Sequence, residues 1–230
     1  MDSGIQPKIY VITTGDKTRI NIINKYLDGL DYEYVYSDNM DELKILEKEY
    51  ESKSHKFRQK AIMAGEIGAF KTHAKAWKLI SDSGYPGIII EDNIDFILDP
   101  SKLLKNDIIN LINDCGLISF SDFRYMLYHN KPFIISYIKE KKPLPIICYG
   151  IVPERADNLI MSMKKTAYVI PVDKWLSIPK LCGVYGFVSH IRFAKRRKGL
   201  VSIANKKKGN KTFNPINILF WGINKYKYKY

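Results

Sequence analysis

The sequence predicts an α/β fold, a mostly parallel sheet flanked by helices, on three observations. The chain opens strand–helix–strand, with Lys8–Thr14 and Tyr32–Tyr36 as strands around an amphipathic segment. Ile88-Ile89-Ile90 is a short β-branched run with Gly84 and Pro86 before it and acids after it, the pattern of a strand buried on both faces. Helical periodicity surrounds that run, over Gly65–Ser81 before it and Pro100–Asn113 after it, so strands and helices alternate.

Each element has its own local reason. Gly15-Asp16 turns the first strand into a helix with Asp16 at its N-cap, and Ile20, Ile23, Tyr26, Leu27 and Leu30 recur at helical spacing. Asp41–Tyr50 reads as a charged helix and Ser52–Lys60 as an exposed connection. On the Gly65–Ser81 helix, Ile67, Phe70, His73, Ala74, Trp77 and Ile80 form one stripe, which gives His73 either a core role or a ligand or base role. Gly116–Phe120 reads as a strand followed by Asp122, a second strand-end carboxylate. Lys131–Tyr149 contains two apolar runs separated by the charges of Lys139–Lys142, a hairpin or flap pattern. Thr166–Ile170 and Val184–Val188 read as late strands, with a short helix opened by Pro171-Val172-Asp173 between them.

With 230 residues and 46% hydrophobic content, the chain is long enough for one substantial domain. No apolar run approaches the roughly 20 residues of a spanning helix. Met1-Asp2-Ser3-Gly4 lacks the basic and apolar regions of a signal peptide. Cys115, Cys148 and Cys182 match no metal spacing, so free thiols in a reducing compartment are expected.

Charge divides the chain. Fourteen of its 37 Lys and Arg residues, but none of its 24 acidic residues, follow Asp173, leaving 23 basic against 24 acidic side chains before that point. The division expected is a domain over residues 1–191 and a basic, aromatic tail over 192–230. The tail carries Lys195–Lys198, Lys206–Lys208, and Phe213 through Trp221. Such a segment suits an anionic partner, a membrane surface or a nucleic acid. No helix-turn-helix, zinc or RNP motif accompanies it, and the near-neutral body argues against nucleic acid. A cytoplasmic protein, peripheral on the inner face of a membrane through this tail, is therefore expected.

Chemistry concentrates after the isoleucine run. Glu91, Asp92 and Asp95 crowd one strand end, where ligands bind in open α/β sheets. Such a cluster either ligates a divalent ion or is a solvated turn. Thr13, Thr14 and Arg19 would lie at the same side of the sheet, although no G-x-G-x-x-G is present. Asp122, Glu154 and Asp157 are further carboxylates placed on loops, and His190 is a late candidate ligand.

Four segments together resemble glycosyltransferase family 25, the family of lipopolysaccharide β-galactosyltransferases and related collagen galactosyltransferases. Gly65-Glu66-Ile67-Gly68-Ala69-Phe70-Lys71-Thr72-His73 resembles the family's GE-x-G-C-x-x-SH helix, with Ala69 and Thr72 in place of its cysteine and serine. Ile88-Ile89-Ile90-Glu91-Asp92-Asn93 resembles its iiLEDD strand, with Asn93 in place of the last acid. Lys8-Ile9-Tyr10-Val11-Ile12 with Arg19, and Thr166-Ala167-Tyr168-Val169-Ile170, resemble the family's opening and a later segment.

The resemblance implies a GT-A-like (Rossmann-like) fold and transfer of a hexose, galactose above all, from a UDP-sugar to a glycan or lipid-linked saccharide acceptor, with inversion. It implies Mn²⁺ or Mg²⁺ held by Glu91 and Asp92 with Asn93 or Asp95 assisting; His190, late in the chain, is either a further ligand or a surface residue. It implies a donor site bordered by Thr13, Thr14, Arg19, Glu66, His73 and Glu91. It does not identify the general base: Asp122, Glu154 and Asp157 are candidates for that catalytic role or structural carboxylates, while Asp92, a catalytic strand-end carboxylate, is expected to be dispensable for folding. The substitution at Asn93 leaves open a degenerate protein that binds sugar nucleotides without transferring them, and the basic tail leaves open a nucleic-acid-binding protein.

Overall fold

The computed structural model describes residues 7–58, 60–122, 135–136, 143–166 and 168–198. The later tail, with Lys206–Lys208 and Phe213–Trp221, lies outside the described residues, as does most of the expected 131–149 flap before residue 143.

The chain forms an α/β fold around a mixed sheet. β1 (Lys8–Thr13), α1 (Lys17–Tyr26) and β2 (Tyr32–Tyr36) make the opening unit, with β1 and β2 parallel. Asp16 caps α1 as its sequence implies, its Oδ1 accepting from the Arg19 N–H at 3.0 Å. α2 (Met40–Arg58) and α3 (Ala64–Ser83) follow, then β3 (Gly87–Glu91), parallel to β1 with Val11 opposite Ile90. β4 (Ile94–Phe96), a 3₁₀ turn at Pro100–Leu104, α4 (Asn106–Cys115) and β5 (Leu117–Ser119) come next. The remaining elements are β6 (Ile135–Ser136), β7 (Cys148–Ile151), α5 (Pro153–Thr166), α6 (Val172–Leu176), α7 (Pro179–Cys182), β8 (Phe187–Val188) and β9 (Ala194–Arg196).

The main sheet has the order β2-β1-β3-β7-β5-β8-β6. β7 and β6 run against the other strands, so the sheet is mixed but mostly one-directional. β4 and β9 pair antiparallel in a separate two-stranded sheet. Ile88, Ile89 and Ile90 are fully buried, with Ile89 in the core under α3 and Ile88 and Ile90 in the core under α1 and α4. That two-sided burial is why β3 reads as an unbroken apolar run.

Four expectations change. α2 continues through Ser52–Arg58, because Ser54 is buried with its hydroxyl donating to the Lys60 carbonyl and Phe57 packs on the core. Pro100–Asn113 divides at Lys105, whose extended backbone (ψ 149°) separates the 3₁₀ turn from α4. β6 and β7 form no hairpin: β7 lies between β3 and β5, whereas β6 pairs with β8. The described residues of Thr166–Ile170 form no strand: Thr166 ends α5 and Tyr168 holds a left-handed φ of 63°. Among the described residues no helix is long and apolar enough to cross a membrane, and the three cysteines are free and buried.

Candidate active site at the strand ends

Parallel strands bring their C-terminal ends to one edge of the sheet. That edge gathers Thr13 at the end of β1, Glu91–Asp95 from the end of β3 onward, and Asp122 after β5. β9 closes over it from the chain's far end, with Ile94 opposite Arg196 and Phe96 opposite Ala194.

Asp92 turns inward. It is 4% exposed, its Oδ2 accepts from the Thr13 hydroxyl at 2.7 Å, and its Oδ1 meets Arg19 Nη1 at 3.2 Å. Arg19 is therefore a buried partner of this carboxylate rather than a surface arginine. Burial pushes the Asp92 carboxyl above its ordinary range, outweighing Thr13 and Arg19, which draw it down. The inward turn gives Asp92 a structural bond to β1 and α1, at odds with an Asp92 dispensable for folding. Thr13 is buried, and its hydroxyl oxygen also accepts from the Gly15 N–H at 3.0 Å; Thr14 is exposed.

Glu91 lies between a buried relay and solvent. Trp77 Nε1 donates to the Tyr149 hydroxyl at 2.8 Å, and that hydroxyl is 2.8 Å from His73 Nδ1. An indole N–H only donates, so the Tyr149 oxygen accepts from Trp77. We assign the Tyr149 proton to His73 Nδ1 and the His73 proton to Nε2, which lies 3.9 Å from Glu91 Oε1. The other oxygen, Oε2, meets Arg196 Nη2 at 3.4 Å. Burial alone would raise Glu91, but His73 and Arg196 outweigh it and hold the carboxyl below its usual range. His73 is thus a core residue, the first of the two readings of the stripe, with its Nε2 turned toward Glu91.

The other acids have their own partners. Arg197 Nε donates to Asp95 at 2.6 Å, and Arg192 Nη1 donates to Asp122 at 2.8 Å. Glu66 accepts from the Met63 N–H at 3.0 Å, a helix-start contact, and His190 is exposed beyond β8. Glu154 and Asp157 lie on α5, not on loops. β7 runs against β3 with Ile151 opposite Gly87, so α5 starts where β3 begins, at the opposite edge from Glu91. The structure thereby separates Glu154 from the other candidates.

A divalent ion needs oxygens that converge. Here Glu91, Asp92 and Asp95 each face a different guanidinium, and among the described residues no group of three His, Cys, Asp or Glu side chains could share an ion. Asn93 Oδ1 is buried with no hydrogen-bond partner. With the three carboxylates each turned to its own guanidinium and Asn93 offering only a neutral oxygen, the residues as arranged do not fit the expected metal. The arginines from the chain's end were the contribution sequence reasoning missed. They carry only a basic-run signal, and their carboxylate partners are 70 to 105 residues away.

Neither a scan against protein-family models nor a search of curated proteins returns a match for this chain.

Proposed function

We propose that this chain is a GT-A-like hexosyltransferase similar to glycosyltransferase family 25, using a UDP-sugar donor and a glycan or lipid-linked saccharide acceptor. The observation carrying the proposal is the meeting, at one strand edge, of the β1 end, the Glu91–Asp95 turn and the arginines of β9.

Transfer with inversion is one displacement. An acceptor oxygen attacks the anomeric carbon, the bond from that carbon to the diphosphate oxygen breaks, and the acceptor proton passes to a carboxylate. Asp122, on the same edge and a third exposed, is the carboxylate for that proton; Glu154 is too far round the fold. Glu91, held ionised, faces outward to orient the donor sugar. Charge on the leaving diphosphate falls to guanidinium groups rather than to an ion. Arg196, more than half exposed and 3.4 Å from Glu91, is the arginine most able to turn to a ligand. Arg197 adds a buried Nη1 with no partner.

A second reading is a protein that binds sugar nucleotides without transferring the sugar. The pairing of every strand-end carboxylate with an arginine favours it. A UDP-sugar panel followed by thermal shift and donor hydrolysis, with Mn²⁺ and with EDTA, separates the two. Transfer predicts a UDP-hexose shift and slow hydrolysis that survives EDTA. A shift without hydrolysis supports the second reading, and no shift with any sugar nucleotide overturns both.

A further inference from the structure

On the side of α3 away from the sheet, a groove of about 740 Å³ opens between α2, α3 and α5. Its floor is aliphatic, from Ala74, Ile160, Met163 and Val169, with Tyr50 and Tyr168 at one end. Among the described residues, five lysines line it, Lys53, Lys71, Lys75, Lys78 and Lys164, and no acidic residue does. Asp38 is shared by Lys71 and Lys75, so one carboxylate serves two ammonium groups. Lys78 pairs with Asp82, while Lys53 lies 4.6 Å above the Tyr50 ring.

The groove is a built feature. Tyr168 holds φ 63°, a backbone conformation rare for a large side chain, and its ring meets Tyr50 at 5.4 Å and the buried Phe70 at 5.3 Å.

We propose that this groove seats an anionic phospholipid of a bilayer surface. The phosphate would meet the lysine rim, and the glycerol and first acyl carbons would cover the aliphatic floor. Lysine, with a long apolar stem and a charged head, suits the headgroup boundary. A cavity of this size matches a small amphiphile. Single-stranded nucleic acid fits less well, because it needs open aromatic faces for its bases. Here Lys53 covers the Tyr50 face, and the Tyr168 ring is taken up by Tyr50 and Phe70. The proposal is independent of the glycosyltransferase reading.

Calorimetry on the full chain tests it with dihexanoylphosphatidylglycerol below its micelle concentration. Dihexanoylphosphatidylcholine, glycerol phosphate and a uridine dodecamer are the comparison ligands. The expected result is binding of the phosphatidylglycerol at least about tenfold tighter than any of the three. Lys53→Glu with Lys164→Glu should then weaken it at least about tenfold, since each lysine near an anionic surface contributes roughly a fivefold factor. Lys44→Glu with Lys102→Glu, which changes the net charge equally away from the groove, should leave it within about threefold. If the Lys53/Lys164 reversal lowers the melting temperature, the alanine pair at the same positions should keep the same order of effects. Equal binding of glycerol phosphate or of the dodecamer would overturn the lipid assignment. Unchanged binding in the Lys53/Lys164 pair would overturn the groove itself.

Discussion

Replacing Asp92 by alanine should destabilise the fold. The side chain joins β3 to β1 through Thr13 at 2.7 Å and to α1 through Arg19 at 3.2 Å, at 4% exposure. Removing one partner of a buried ion pair costs about 3–5 kcal/mol, because the other charge stays behind. The lower end applies here. Burial already raises the Asp92 carboxyl despite its two partners, so part of the loss is offset by no longer burying a carboxylate. An expectation of about 3 kcal/mol corresponds to a fall in Tm of about 6–12 °C for a domain of this size. Thermal and urea unfolding followed by circular dichroism measure it. Arg19→Met and the double variant Arg19→Met/Asp92→Leu complete a cycle in which the double change should cost less than the two single changes summed. A Tm drop under about 2 °C in Asp92→Ala would refute the reasoning and return Asp92 to the role of a free ligand carboxylate.

The remaining expectations concern the relay and the closing segment. Tyr149→Phe leaves the Trp77 N–H and His73 Nδ1 buried without their shared hydroxyl, and should cost about 2–4 kcal/mol by urea titration. Glu91→Gln should flatten the acid limb of a Tm-against-pH profile. The folded Glu91 carboxyl sits below its ordinary value of 4.5, so its stabilisation is present above that value and is lost as pH falls below it. Wild type should therefore lose stability faster than the variant below about pH 4.5; parallel profiles would count against the His73 and Arg196 contacts. Arg197→Ala removes the bonds to Asp95 and to the Ile94 carbonyl, and should speed proteolysis between residues 190 and 198 with little change elsewhere.

What the sequence disclosed follows from what is local. β1, β2, β3 and α3 were legible because each writes its burial into a short period: two-sided apolar runs for the strands, a stripe from Ile67 to Ile80 for the helix. α5 was missed although Pro153, Glu154 and the spacing of Ala156, Leu159 and Met163 mark a helix start and a buried face. The β-branched residues around Tyr168 suggested a strand, yet aromatic packing against Phe70 and Tyr50 set that backbone instead. In the site, the strand-end placement of Glu91 and Asp122 was legible from strand boundaries. The arginine partners were not, since an ion pair across 70 or more residues leaves no periodic trace.

The pairing of β4 with β9 also sets an order of events during synthesis. Asp95 and Arg197 are 102 residues apart. At translation rates of about 5–20 residues per second, roughly 5–20 seconds separate the emergence of the acidic turn from that of its last counter-cation. A nascent sheet could pair β1, β2 and β3 within that interval, but the turn at its edge would remain anionic throughout. Closure of the two-stranded sheet is thus a high-contact-order step placed at the end of folding. Slowing elongation after residue 96 would lengthen the interval in which Glu91 and Asp95 stand unneutralised and open to any passing cation.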